Sequence, residues 1–105
     1  MAVTIASTAT ENVSNLMPIL HGTAADVTAV GVFHTTNPAT TPTVDNFVIV
    51  TGVPSSDGKS VDIQSLIGPR DGDLTLAVGE HQRWLLVKTA TEDIIRKAPD
   101  TVKVI

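Results

Sequence analysis

About a third of the 105 residues are Val, Ile or Thr, and this preference constrains the fold more than any other feature of the chain. Branching at Cβ stiffens χ1 and fits a side chain to a pleated surface, so these residues favour strands over helices. Residues that favour helices never gather into a long amphipathic run. The chain is therefore predicted to be mostly β.

Short apolar or alternating segments recur along the chain, with turn residues between them. These segments are 26–34, 47–50, 60–67, 74–78, 82–88 and 101–105. Residues 92–97 fit either a short helix, because acids precede bases, or a strand, because Ile94 and Ile95 are β-branched. About six to eight short strands with this spacing are typical of a small antiparallel β-sandwich or a small barrel.

Turns and loops follow from glycine and proline. Asp57-Gly58 predicts a tight turn, because glycine readily adopts the positive φ that such turns need. Two prolines within 35–44 predict a long exposed loop. The continuous apolar run 47–50 that follows predicts a strand covered on both faces.

The N-terminal segment differs in composition from the rest. Residues 1–18 are rich in Thr, Ala and Ser, and their apolar side chains are spaced too loosely for a helix face. We therefore expect an extended N-terminal arm over 1–18 and a single β domain over 19–105. The total length fits one domain with a real hydrophobic core.

Composition excludes several classes of protein. The chain has no cysteine, which excludes a disulfide scaffold, an iron–sulfur cluster and a thiolate-ligated zinc site. The net charge of -4 argues against a nucleic-acid partner, which requires a cationic face. No apolar run is long enough to cross a membrane. The N-terminus lacks the basic residues and apolar stretch of a secretory signal, so we expect no signal peptide.

Candidate catalytic residues are sparse. His21, His34 and His81 lie in separate segments without the close spacing of metal ligands, so we expect no metal site. Most acidic residues lie beside Gly, Pro or Ser in predicted turns, where carboxylates are usually solvated. We expect a protein that is not an enzyme and that has no catalytic residues and no cofactor. Trp84, flanked by Leu85, is expected in the core.

Two segments resemble parts of bacterial and phage immunoglobulin-like domains. Residues 26–37, Asp-Val-Thr-Ala-Val-Gly-Val-Phe-His-Thr-Thr-Asn, are similar to the strand and Thr/Asn element of that family. Residues 76–80, Leu-Ala-Val-Gly-Glu, are similar to the turn that precedes a late strand there. This resemblance implies a binding module for a glycan or peptide on a phage or bacterial surface. Its expected contacts lie in the long loop, at Thr36, Asn37, Thr40 and Thr41.

The overall plan also resembles the head-decoration, or capsid cement, proteins of tailed bacteriophages. The shared traits are the length, the Thr/Ala-rich N-terminus, the absence of cysteine, the few aromatics and the apolar C-terminus. This resemblance implies a structural protein of the virion, made in the host cytoplasm, that docks on the major capsid protein or another virion protein. It also implies a homo-oligomer, with a trimer favoured. We expect docking through the arm, at Val3, Thr4, Ile5, Val13 and Leu16.

Overall fold

A computed structural model of the chain describes residues 2–19 and 23–105, which form eight strands and two single-turn 3-10 helices. The strands are β1 (Ala2–Ile5), β2 (Glu11–Pro18), β3 (Val27–Thr35), β4 (Val48–Pro54), β5 (Ser60–Ile67), β6 (Gly79–Thr89), β7 (Asp93–Lys97) and β8 (Thr101–Val104). The 3-10 helices span Ala24–Asp26 and Val44–Asn46. The prediction of a small, mostly β fold of six to eight short strands is confirmed.

The strands form one sheet that curls into a nearly closed barrel. Its order is β1-β8-β6-β3-β4-β5-β2, and β7 pairs with β6 beside that path. Every named pair is antiparallel except β1 with β8, which is parallel. Strand β6 is the longest, with 11 residues, and its two ends pair with β8 and β7 on the same side.

The expectation of a separate N-terminal arm is wrong. Strand β1 pairs with β8 over four residues, and β2 pairs with β5 over its whole length of eight. Ile5 and Val13 are only 1% and 6% exposed, because both pack in the interior. No boundary follows residue 18 either, since Ile19 is buried and its N–H donates to the Lys59 carbonyl at 2.7 Å. The inward positions of β2, at Val13, Asn15 and Met17, repeat every second residue, which is the period of a strand.

The structure corrects the predicted strand at 74–78 and decides between the two alternatives for 92–97. Residues 74–78 do not form a strand, apart from one parallel bridge between Leu74 and Ile67. Strand β6 instead starts at Gly79 and continues without interruption to Thr89. Of the two alternatives for 92–97, the structure has the strand, because β7 pairs with β6 over five residues.

The interior contains two apolar clusters. The larger one comprises Met17, Ile19, Val30, Val32, Val61, Ile63, Leu85, Val87 and Ala98. The smaller one comprises Ile5, Val13, Ile67 and Val102.

The predicted Asp57-Gly58 turn joins β4 to β5, with Gly58 at φ 71°. This hairpin brings β4, β5 and β2 together as neighbours on one side of the barrel.

Candidate functional site: a polar layer, a seam and an open sheet face

A layer of polar side chains lies between the two apolar clusters. Strands β2, β5, β6 and β3 contribute Asn15, Ser65, Arg83 and His34 to it. Each of these residues alternates with inward apolar side chains of its strand; Ser65, for example, lies between Ile63 and Ile67. Because His34 and Arg83 are directly opposite each other in the β3–β6 register, they share one face of the sheet.

Arg83 is the centre of this layer and is 1% exposed. Its Nε donates to Asn15 Oδ1 at 2.6 Å, and its Nη1 donates to Ser65 Oγ at 2.8 Å. Its Nη2 donates to the Val13 carbonyl at 3.1 Å. Burial lowers the pKa of Arg83 to about 10, so the guanidinium is still charged at neutral pH. The charge is thus held by neutral acceptors, and no hydrogen bond in the described part of the chain joins Arg83 to a carboxylate.

The protonation of His34 follows from its contact with Arg83. Arg83 Nη1 lies 3.0 Å from His34 Nε2 and can only donate, so Nε2 accepts and the ring proton is on Nδ1. Burial, and then the charges of Arg83 and His81, lower the pKa of His34 to about 3. His81 itself is buried and donates from Nε2 to the Ala77 carbonyl at 2.8 Å. His34 is therefore a neutral ring beside a buried cation.

The barrel wall has an opening near His34, which we call the seam. It separates residues 32–34 and Val48 on one side from residues 74–76 on the other. It exists because β4 pairs with β3 only over 48–50 and with β5 only over 51–54. Leu74 is hydrogen-bonded to the β5 side alone, donating to the Leu66 carbonyl at 2.9 Å. A cavity of about 290 Å³ lies in the seam.

The outward side of β2, β5 and β4 is a separate feature, which we call the open face. Its large apolar side chains are Leu16, Ile49, Leu66 and Val53, which are 67%, 59%, 53% and 44% exposed. The register places Leu16 and Val53 on either side of Asp62, the one charged residue at the outward positions of these strands. The expectation that residues 47–50 are covered on both faces is therefore wrong, since Ile49 is exposed.

The outward side of β3 and β6 is covered around Leu86, by contrast. Leu86 points outward from β6 yet is 0% exposed, and Phe47, at the end of the long loop, is 9% exposed. The rings of Phe33 and Phe47 lie 6.1 Å apart on this side. Trp84 is also on this outer side and is partly exposed, so the expectation that it belongs to the core is wrong.

The structure separates the residues expected to form a docking arm. Ile5 and Val13 lie in the interior and Val3 packs against them, whereas Thr4 is exposed. Only Leu16 reaches the open face. The physical reason is the alternation of β1 and β2, which turns every second side chain inward.

The residues expected to make loop contacts lie at the surface. These are Thr36, Asn37 and Thr41, which are exposed, and Thr40, which is partly exposed. The loop is locally ordered, because Asn37 Oδ1 accepts from the Ala39 N–H at 3.0 Å.

Of the three histidines, His34 and His81 are described above, and His21 lies outside the described residues. Within 2–19 and 23–105, no group of three or more His, Asp or Glu is placed to hold a metal ion.

Sequence reasoning missed the polar layer and most of the open face. A signal for the layer is present: Asn15 and Ser65 each interrupt an inward-facing apolar series of their strand. In β6, Arg83 takes the inward position that precedes the apolar Leu85 and Val87. Polar residues at inward positions of three strands are expected to meet inside a barrel.

Comparison with protein-family models, with curated protein sequences and with solved structures finds no significant match to this chain. The described residues include no helix with the length and apolarity needed to cross a membrane.

Proposed function

We propose that this chain is a non-enzymatic structural protein that docks on another protein through its open face. The observation that carries the proposal is the exposure of Leu16, Ile49, Leu66 and Val53 on one side of three adjacent strands. Four large exposed apolar side chains on one face that carries a single charge are typical of a protein–protein contact surface. Covering these side chains removes apolar area from water, which stabilises the complex.

The edge of the sheet offers a second contribution to docking. Strand β2 ends the sheet order and pairs only with β5. Its eight residues keep a continuous register without a bulge, and between Glu11 and Pro18 at its ends it carries no charge and no proline. A strand from a partner adds to such an edge through main-chain hydrogen bonds. The protein thus accepts a strand rather than donating an arm.

The partner in this proposal is a major capsid protein or another protein of a phage virion, with this chain as a homo-oligomer, trimeric by preference. Support comes from the resemblance in plan to head-decoration proteins: the length, the absence of cysteine, the few aromatics and the apolar C-terminus. The mostly β fold agrees with that plan, whereas residues 2–5 and 11–18 form paired strands of the sheet instead of a free N-terminal arm. The location in this proposal is the virion.

One observation favours a different function, an immunoglobulin-like module that binds a glycan or peptide. Trp84 is partly exposed on the outer side of β6, directly opposite Lys97 of β7. Aromatic rings beside polar groups are common in such binding sites. A glycan array read together with Trp84 fluorescence separates this function from docking: a saturable fluorescence change on glycan addition supports the binding module, and an unchanged signal supports docking.

The docking proposal is tested by two measurements on the wild-type protein and the double variant Leu16→Ser/Leu66→Ser. Light scattering gives the oligomeric state, and co-sedimentation measures binding to shells assembled from the major capsid protein of the same genome. We expect the wild type to pellet with the shells and the double variant to lose at least tenfold in affinity. Both residues are already exposed, so the variant keeps its fold.

Val78→Ser is the matched control, because Val78 is 70% exposed and lies outside β2, β4 and β5. It is expected to bind like the wild type. Equal binding of the double variant and the wild type contradicts docking through the open face. Failure of the wild type to pellet contradicts the capsid as partner.

A further inference from the structure

The second nitrogen of His34 is an unused hydrogen-bond donor. Its Nε2 accepts from Arg83, so Nδ1 carries the proton, and Nδ1 makes no hydrogen bond within the described residues. No buried side-chain nitrogen or oxygen there lacks a partner, so this unpartnered Nδ1 is not buried. His34 lines the seam cavity, so we assign the exposed Nδ1 to that cavity.

The electrostatic environment of this donor favours a negative charge. Arg83 lies 3.0 Å from the other side of the ring, and its hydrogen-bond partners within the described residues are all neutral acceptors. A buried cation without a carboxylate partner leaves an uncompensated positive potential around it. That potential polarises the His34 ring, so an anionic acceptor is preferred at Nδ1–H over a neutral one.

The rest of the cavity is mostly apolar. Its walls include the side chains of Val48, Leu74 and Leu76, and two polar residues, Asn46 and Thr75, also line it. Its volume of about 290 Å³ is at the lower end of the range for small-molecule sites, roughly 300–1,000 Å³. The cavity therefore suits a small ligand with an apolar body and one polar head.

We propose that the seam is a binding site for a carboxylate carried on a small apolar body. The carboxylate accepts from His34 Nδ1–H and compensates the charge of Arg83, while the apolar part lies against Val48, Leu74 and Leu76. A free short-chain carboxylic acid and the C-terminal carboxylate of a peptide ending in an apolar residue share this chemistry. The site is independent of the open face and goes beyond the docking function.

The test is a ¹H–¹⁵N NMR titration of the full chain with hexanoate, and with hexanamide as the uncharged analogue. Hexanoate is expected to give saturable shifts at residues 32–34, 48 and 74–76, with at least tenfold higher affinity than hexanamide. Acetyl-Ala-Leu, with a free or an amidated C-terminus, tests the peptide source in the same way. Tighter binding of the free-acid peptide than of hexanoate assigns the site to a chain terminus, and the reverse assigns it to a free acid.

Three variants locate the site. Leu76→Trp fills the cavity without removing a hydrogen-bonding group and is expected to abolish the hexanoate shifts. Val78→Trp is its matched control, because Val78 does not line the cavity, and it is expected to bind hexanoate normally. His34→Gln retains both an acceptor for Arg83 and an amide donor, so it is expected to keep binding within about tenfold.

Three results overturn the proposal. The first is equal affinity for hexanoate and hexanamide, which removes the role of the charge. The second is a set of shifts that maps away from the seam or persists in Leu76→Trp. The third is the absence of any shift at about 10 mM hexanoate, well above a Kd of about 1 mM.

Discussion

The outward side of β3 and β6 and the outward side of β2, β5 and β4 differ in how far they cover a leucine side chain. Leu86 on β6 and Leu66 on β5 both point outward, yet they are 0% and 53% exposed. The difference arises because the loop before β4 brings Phe47 over the β3–β6 side, where a Cβ built at Gly31 would lie 3.1 Å from Phe47 Cβ and 3.5 Å from Leu86 Cδ2. Strand alternation thus decides which side chains point outward, and the loops decide which of them are covered.

Truncation of the two leucines tests this contrast most directly. Leu86→Ala leaves a cavity under Phe47 and is expected to lower the free energy of unfolding by about 2–5 kcal/mol. Leu66→Ala is the matched control. It removes an exposed side chain and is expected to change the free energy of unfolding by less than about 0.5 kcal/mol. Urea denaturation monitored by circular dichroism measures both. Equal losses in the two variants contradict the assignment of one covered and one open side.

A methyl group at Gly31 tests how closely the loop lies on the sheet. A Cβ built there is 3.0 Å from the Val48 carbonyl and 3.1 Å from Phe47 Cβ, with the first contact on backbone. Gly31→Ala therefore forces β4 and Phe47 away from β3, and we expect a loss of about 1–3 kcal/mol. Urea denaturation gives the loss, and the ring-current shifts between Phe33 and Phe47 report the displacement. Unchanged shifts and stability contradict close packing at this point.

Arg83 and His34 lie on the inner side of β3 and β6. The pH dependence of stability tests the environment of His34 there. The pKa of His34 is about 3 in the folded protein and 6.5 in its ordinary state. Between these values the unfolded chain binds a proton that the folded chain does not, so stability is full above pH 6.5 and falls as the pH is lowered. We expect this residue to account for a loss of about 1–2 kcal/mol between pH 6.5 and 5, above the range where most carboxylates titrate.

Chemical denaturation at a series of pH values measures this loss in the wild type and in His34→Gln. The variant has no imidazole at position 34, so its stability is expected to fall less over the same interval. Parallel curves for the two proteins show that His34 is not responsible.

Local patterns were sufficient for part of the fold. Alternation over 26–34 predicted β3, and the Asp57-Gly58 pair predicted the β4–β5 turn, because both depend on neighbours in sequence. The parallel pairing of β1 with β8 joins residues about a hundred positions apart, and no local pattern specifies such a partner. Residues 1–18 taken alone are consequently predicted to be an arm.

The candidate site was less predictable than the fold. A continuous apolar run such as 47–50 is compatible with burial on both faces, and only the path of the loops shows that Ile49 is exposed. Asn15 and Ser65 are ordinary polar residues until the register places them beside Arg83. A hydrogen-bonded layer of this kind depends on long-range pairing, so it emerges only from the three-dimensional structure.

The parallel pairing of β1 with β8 has a consequence for synthesis on the ribosome. The larger apolar cluster uses residues 17–98 alone, so it can assemble before β8 emerges. The smaller cluster needs Val102 of β8 to cover Ile5 and Val13. Until translation reaches β8, the first two strands carry uncovered apolar side chains and β1 lacks its partner. The last strand of the described chain thus completes the half of the core that was translated first.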